Sequence, residues 1–304
     1  DKTGSSTLPR ALIIDGPSLA MATVNKSMLL ADLDTCKKLK EKLLDFAQRC
    51  KAVVGCRVSP DQKREMVDLI KTGVGGVRTL AIGDGANDVA MIQEAHIGIG
   101  IKGEEGLQAV NSSDYAIAQF RYLEVLLLKH GRYNYIRMSN LVCYVFYKNV
   151  MGSIAMFWFN TKCGFSGQKM YAEGAIQMFN LLFTSLPILF YGIYDRDVPV
   201  EMVRKFPKMY NEGVMNKYFN TKIFWSWVGT ALWQTPVLCL VPIGFYQQNG
   251  DLGRSPSFWA AGAMSYTALI YVVNMKLFSF QSCWSMWNYV IIIISICGWW
   301  LFAA

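Results

Sequence analysis

Five apolar stretches in the second half of this 304-residue sequence constrain its fold more than any other feature. They are "SNLVCYVFYKNVMGSIAMFWF" from Ser139, "AIQMFNLLFTSLPILFYGIY" from Ala175, "IFWSWVGTALWQTPVLCLVPIGFY" from Ile223, "FWAAGAMSYTALIYVVNM" from Phe258 and "WNYVIIIISICGWWLFAA" from Trp287. Roughly 20 residues of helix cross the hydrocarbon core of a bilayer, so each stretch reads as a transmembrane helix. Most of the Trp residues sit in or beside these stretches, as interfacial anchoring requires. Charge divides the chain in the same place: 18 of its 30 Lys and Arg and 16 of its 22 Asp and Glu precede residue 136. Residues 1–135 therefore read as a charged, water-soluble domain and residues 136–304 as a membrane domain with five spans. This composition excludes collagen-like, disulfide-scaffold and disordered classes.

The first thirty residues lack the basic start and apolar run of a secretory signal, so the soluble domain is expected to face the cytosol. Loop charge agrees. The connection Asp195–Lys222 carries six basic residues, whereas Thr161–Glu173 and Gln247–Ser257 carry three between them, and basic loops stay on the cytosolic side. The cysteines lack metal-ligand spacing and read as free thiols. His96 and His130 stand apart from any Cys, Asp or Glu cluster.

In the soluble half, short apolar runs alternate with helical patterns. "ALIID" (11–15), "AVVGCRV" (52–58), "RTLAIG" (78–83) and "IGIGI" (97–101) read as strands. Amphipathic helices are expected over Leu33–Arg49 and Pro60–Ile70, the second opening on a proline that the first helical turn tolerates. This order indicates an α/β domain doubly wound on a parallel sheet, with its ligands at the carboxyl ends of the strands. Arg121–Arg137 reads as a charged helix continuing into the first span.

Two strand-ending loops are loaded with chemistry. In "GDGANDVAMI", Gly83 and Gly85 permit tight turns and Asp84 and Asp88 lie four residues apart, a hard-oxygen pair suited to Mg²⁺. An acidic helix cap is the bland alternative. "CRVSPDQK" ends a second strand at Arg57–Lys63, and "DKTG" occupies Asp1–Gly4.

Together these motifs resemble the P-type ATPases, whose phosphorylated aspartate lies in a DKTG motif and whose hinge carries GDGxND. "RVSPDQK", "TLAIGDGANDVAMIQEAHIGIGI", "SDYAIAQF", "FYKN" and "FTSLP", in this order, are similar to the lipid-flipping class, type IV. The resemblance covers the chain from Ala11 onward. It implies a haloacid-dehalogenase-like phosphorylation domain followed by an α-helical transmembrane bundle. Asp1 would be the nucleophile and Thr3 would help seat the phosphoryl group and metal. Lys63 would be the neutralising cation, with Asn87 and Asp88 in the same catalytic cluster. The resemblance further implies Mg²⁺ on Asp1, Thr3, Asp84 and Asp88, and ATP phosphates met by Lys2, Arg57 and Lys63. It also implies a phospholipid substrate and an accessory β subunit with two spans; no nucleic-acid partner is expected. Ser5 stands where the family usually has Thr. The nucleotide-binding and actuator domains, the first four spans and a last span of the family pattern are missing, so a fragment that is inactive alone is expected.

The spans themselves offer Lys148 and Asn149 in the first and Asn180, Thr184 and Ser185 before Pro187 in the second. None holds a carboxylate in its core, which makes a poor cage for Ca²⁺, Na⁺ or K⁺. Polar groups at bilayer depth are costly and tend to have a task. Lys148, Asn149, Asn180 and Thr184 are read as a lipid path, with a snorkelling or structural role for Lys148 as the alternative. A cation-transporting P-type ATPase and a catalytically silent membrane scaffold with a phosphatase-like domain remain open as other functions.

Overall fold

The computed structural model describes residues 10–23, 33–103, 106–248 and 258–303, so Asp1, Lys2 and Thr3 lie outside the described residues. The chain divides into two compact units, Asp1–Leu123 and Glu124–Ala304.

Among the described residues of the first unit, the strand ladders are parallel, with one isolated antiparallel bridge between Gly103 and Gly106. β1 (Ala11–Asp15) pairs with β2 (Ala52–Cys56), Ala11 opposite Ala52. β3 (Leu80–Gly83), β4 (Ile97–Ile101) and β5 (Tyr115–Ile117) form a second sheet in that order. The intervening helices are α1 (Gly16–Thr23), α2 (Leu33–Gln48), α3 (Pro60–Gly73), α4 (Val89–Glu94) and α5 (Gln108–Asn111). One continuous sheet was expected, whereas the described strands form two. β2 ends at Cys56 rather than Val58 because Arg57 adopts φ 52°, a left-handed conformation that no strand residue holds. β3 begins at Leu80 rather than Arg78: the Thr79 N–H donates to His96 Nδ1 at 3.2 Å instead of to the ladder. β5 was not expected. Its three residues are too few to show alternation, and they pair because β4 offers a parallel edge.

Among the described residues, the second unit has five helices long and apolar enough to cross a membrane. The first lies in a helical run Tyr122–Lys162 made of α6 (Tyr122–Glu124), a π-helical stretch Val125–Gly131 and α7 (Arg132–Lys162). The second is interrupted: α8 (Glu173–Met178) passes through a π-helical stretch Phe179–Phe183 to α9 (Ser185–Tyr194). α10 (Val200–Lys205) and α11 (Asn211–Val214) precede α12 (Thr221–Gln248), α13 (Phe258–Phe280) and α14 (Met286–Ala303).

Large aromatic rings fill the centre of this unit. Tyr144, Tyr147, Phe183, Tyr191 and Tyr266 are all buried, and the Tyr266 ring meets Tyr171 at 5.1 Å and Trp299 at 4.7 Å. Lipid tails are as apolar as these rings, so close packing rather than water exclusion holds the helices together. Gly262 shows how close: a Cβ there would stand 2.4 Å from the Met170 carbonyl oxygen. At the end of α9, Asp195 is buried and accepts the backbone N–H groups of Ser282 (3.0 Å) and Cys283 (2.8 Å). Burial pushes its carboxyl up, and the two N–H groups pull it back. Asp195 thus ties the end of the second span to the α13–α14 link. Asp195→Ala should cost about 1 to 3 kcal/mol by stranding two N–H donors, while Asp195→Asn, which keeps an acceptor oxygen, should recover most of it; unfolding in detergent measures both.

Candidate functional site

In the first unit, a cap positions the key lysine. Ser59 accepts the N–H of Gln62, whose side chain accepts the Ser59 N–H in return, and Pro60 opens α3 with its φ already set. The Gln62 Nε2 donates to the Gly16 carbonyl at 2.8 Å, tying α3 to the start of α1, just past β1. One residue on, Lys63 reaches Asp88 Oδ1 at 2.8 Å. Asp88 closes a 3₁₀ turn, Ala86–Asp88, between β3 and α4. It can sit there only because residue 83 is glycine: a Cβ would lie 2.2 Å from the Asp88 Cβ. The pair is partly exposed, with 32% and 14% of the side chains accessible, so it adds only on the order of 1 kcal/mol to stability. It holds a cation and a carboxylate side by side on the rim of a loop.

Asp84 and Asn87 lie on the same loop, exposed, and Arg57 is exposed just past β2. The structure therefore brings Lys63 and Asp88 into contact and keeps Asp84 and Asn87 on Asp88's loop. No group of three His, Cys, Asp or Glu side chains gathers among the described residues. The donor set on the loop is two aspartate carboxylates. Such oxygen donors fit Mg²⁺, which binds through one or two carboxylates and keeps waters and phosphate oxygens.

In the second unit, the polar groups converge on the interruption of the second span. Lys148 is 5% exposed, and its Nζ donates to Thr184 Oγ1 at 2.9 Å. Thr184 in turn donates to the Phe179 carbonyl at 2.7 Å. Asn149 and Asn180 line a cavity of about 510 Å³ with Gly152, Ser153, Tyr171 and Tyr266. Of the four candidate lipid-path residues, Lys148 and Thr184 are bonded to each other and Asn149 and Asn180 share the cavity.

Sequence reasoning missed what closes this break. Pro187 cannot donate to the Phe183 carbonyl, and Ser295 Oγ from α14 donates to that oxygen instead. The pattern repeats in α12, where Pro236 and Pro242 sit inside the helix. Leu238, four residues before Pro242, has its carbonyl bonded by Ser265 Oγ at 2.8 Å. Leu232, four before Pro236, is bonded by Thr235 Oγ1 at 3.0 Å. The signal available in the sequence was each proline's position; the partner hydroxyl, 112 residues away in the first case, had no local mark.

Residues 110–304 match the family described as phospholipid-translocating P-type ATPase, C-terminal. The chain is 44% identical over 284 residues to the human "Probable phospholipid-transporting ATPase IM", covering 93% of this chain and 23% of that protein. It is 40% identical to the mouse "Phospholipid-transporting ATPase ID" over 93% of this chain and 22% of that one. With the Arabidopsis thaliana "Probable phospholipid-transporting ATPase 4" it shares 40% identity over 97% of this chain and 23% of the relative. The chain belongs to the phospholipid-translocating P-type ATPases. It spans about a quarter of the length of these relatives. The stretch matched to the family's C-terminal region holds all the described spans and the Lys148 cluster, and this is an integral, multi-pass membrane protein.

Ser295→Ala should strand the Phe183 carbonyl and cost about 1 to 2 kcal/mol. In a Pro187→Ala background, which restores the helical N–H, the same change should cost far less. A double-mutant cycle in detergent unfolding reads the difference.

Proposed function

We propose that the chain is part of an ATP-driven phospholipid translocase that moves lipid toward the cytosolic leaflet through an aspartyl phosphate on Asp1. The observation that carries this reading is the Lys148–Thr184 pair at the interruption of the second span, in a set of spans without a core carboxylate. A buried ammonium ion held by a hydroxyl, next in sequence to Asn149, which lines a largely apolar cavity together with Asn180, suits a lipid phosphate or carboxylate better than a metal cation. The relatives' printed names point the same way. A cation-transporting ATPase lacks support in this donor set. A silent scaffold would have no use for Asp1, Lys63, Asp84 and Asp88 together.

In this reading the first unit is a cytosolic, doubly wound, haloacid-dehalogenase-like phosphorylation domain. The Asp1 carboxylate attacks the γ-phosphorus of ATP, the bond to the bridging oxygen breaks and ADP leaves; water later hydrolyses the acyl phosphate. Two anions can meet only if their charge is offset. Lys63 supplies a cation, positioned by its bond to Asp88, while Lys2 and Arg57 meet the nucleotide phosphates and Thr3 and Asn87 orient the phosphoryl oxygens. Bound Mg²⁺, held by Asp1, Thr3, Asp84 and Asp88, supplies further charge neutralisation. Lipid reaching Asn149, Asn180, Thr184 and Lys148 triggers dephosphorylation, with an accessory β subunit of two spans completing the assembly.

The test uses the complete polypeptide with labelled ATP and Mg²⁺. An acid-stable, hydroxylamine-labile phosphoenzyme is expected, lost in Asp1→Asn and formed only at much higher Mg²⁺ in Asp84→Ala. Lys148→Ala and Asn180→Ala should form it normally but need at least several-fold more lipid to discharge it. Label persisting in Asp1→Asn would overturn the reading, and an unchanged lipid titration would remove Lys148 and Asn180 from the path.

A further inference from the structure

Arg57, one residue past β2, holds a left-handed backbone at φ 52°. A residue with a Cβ pays for that conformation, and it persists only where its surroundings over-determine it. The surroundings here are Gly16 and Gln62. The register of β1 and β2 sets Asp15 opposite Cys56, so the two strands deliver Gly16 and Arg57 side by side. The approach is close: a Cβ on Gly16 would stand 2.6 Å from the Arg57 carbonyl oxygen and 3.2 Å from Gln62 Oε1. Gly16 is itself held at the start of α1, where the Ser18 N–H donates to Asp15 Oδ1 at 3.2 Å.

Gln62 uses both ends of its amide at this junction. Its Oε1 accepts the Ser59 N–H at 2.9 Å, as a capping box requires and as a glutamate would do equally well. Its Nε2 donates to the Gly16 carbonyl at 2.8 Å, which a glutamate cannot do. The side chain therefore does more than cap α3: it bolts the turn that follows Arg57 to the residue against which Arg57 is pressed. Lys63 comes next in the chain and reaches Asp88, so the same amide stands between the two cations of the loop.

We infer that Gln62 is a positioning residue for the nucleotide phosphates: by joining Gly16 to the turn between Arg57 and Pro60, it holds the Arg57 and Lys63 cations at a fixed separation. This deepens the proposed function and rests on it, because there both cations meet phosphate oxygens. Charges fixed in advance need no rearrangement as the phosphoryl group transfers. Gln62 itself touches neither nucleotide nor Asp88 in this account and acts through its two neighbours. The cap and the tie make separable demands, since Ser59 serves only the first.

The experiment uses the complete polypeptide and follows phosphoenzyme formation over time at several ATP concentrations. Gln62→Glu keeps the capping oxygen and sets a second oxygen against the Gly16 carbonyl. It should slow formation about tenfold and raise the ATP needed about fivefold, with the final amount of phosphoenzyme unchanged. Ser59→Ala, which removes the cap hydroxyl and leaves the tie, should lose less than about threefold in rate and nothing in ATP dependence. The Gln62→Glu effect should persist at high salt, which screens the added charge. Three outcomes would overturn the inference: less phosphoenzyme formed at the unmodified rate and ATP dependence, which marks a merely structural role; Ser59→Ala matching Gln62→Glu; or an effect that salt removes. Binding of a non-hydrolysable ATP analogue in the Asp1→Asn background needs no phosphoryl transfer and separates the two readings. Weakening about fivefold by Gln62→Glu, with no phosphoenzyme in the unmodified protein, counts against the proposed function alone. Normal phosphoenzyme kinetics and analogue binding in Gln62→Glu count against this inference alone.

Discussion

A backbone carbonyl inside a bilayer must find a hydrogen-bond donor within the protein, because no water is there to supply one. The second and third spans violate regular helix at Pro187, Pro236 and Pro242, and each freed carbonyl has been given a hydroxyl: Ser295, Thr235 and Ser265. Two of these hydroxyls come from other helices, so the breaks also lock α14 to the second span and α13 to α12. Ser265 is bonded in addition to the Tyr171 hydroxyl at 3.1 Å, which carries the tie out to the link before α8. The interruption at Phe183–Thr184 is therefore a fixed feature. Its fixity holds Thr184 where Lys148 can reach it.

Two lysines show how environment divides the labour. Lys63 has a carboxylate partner on a solvent-facing loop, where the pair contributes little stability but keeps positive charge beside an aspartate. Lys148 has a hydroxyl partner in an apolar interior, where an ammonium without a carboxylate is costly. A charge left short of compensation in that way is suited to an anionic visitor. In the proposed function the same logic sets this membrane unit apart from a cation cage, which would place the carboxylates in the spans and leave out the lysine.

Much of this was legible in the sequence, because its signals are local. Span length fixed five helices that the structure contains, β1 and β4 fall on the expected residues, and Ser59, Pro60 and Gln62 announce α3. The glycines and aspartates of Gly83–Asp88 marked the turn between β3 and α4 in which Asp88 meets Lys63. What could not be read are contacts between residues far apart in the chain with no periodic mark. Arg132 finds Asp197 and Glu212 at separations of 65 and 80 residues, and Asp195 finds Cys283 at 88. β5 was invisible because three residues carry no pattern, and the division into two sheets depends on pairings rather than propensity.

The central claim is that the interrupted second span and Lys148 form a path for lipid driven by the phosphorylation chemistry. The most direct measurement is ATP-dependent movement of headgroup-labelled phospholipid between leaflets of vesicles holding the complete polypeptide and its partner subunit. The account requires movement toward the leaflet facing the nucleotide, abolished by Asp1→Asn and slowed in Thr184→Val, which keeps the side-chain shape but removes the oxygen that Lys148 bonds. ATP hydrolysis with no lipid movement, or full transport by the Thr184→Val protein, would contradict it.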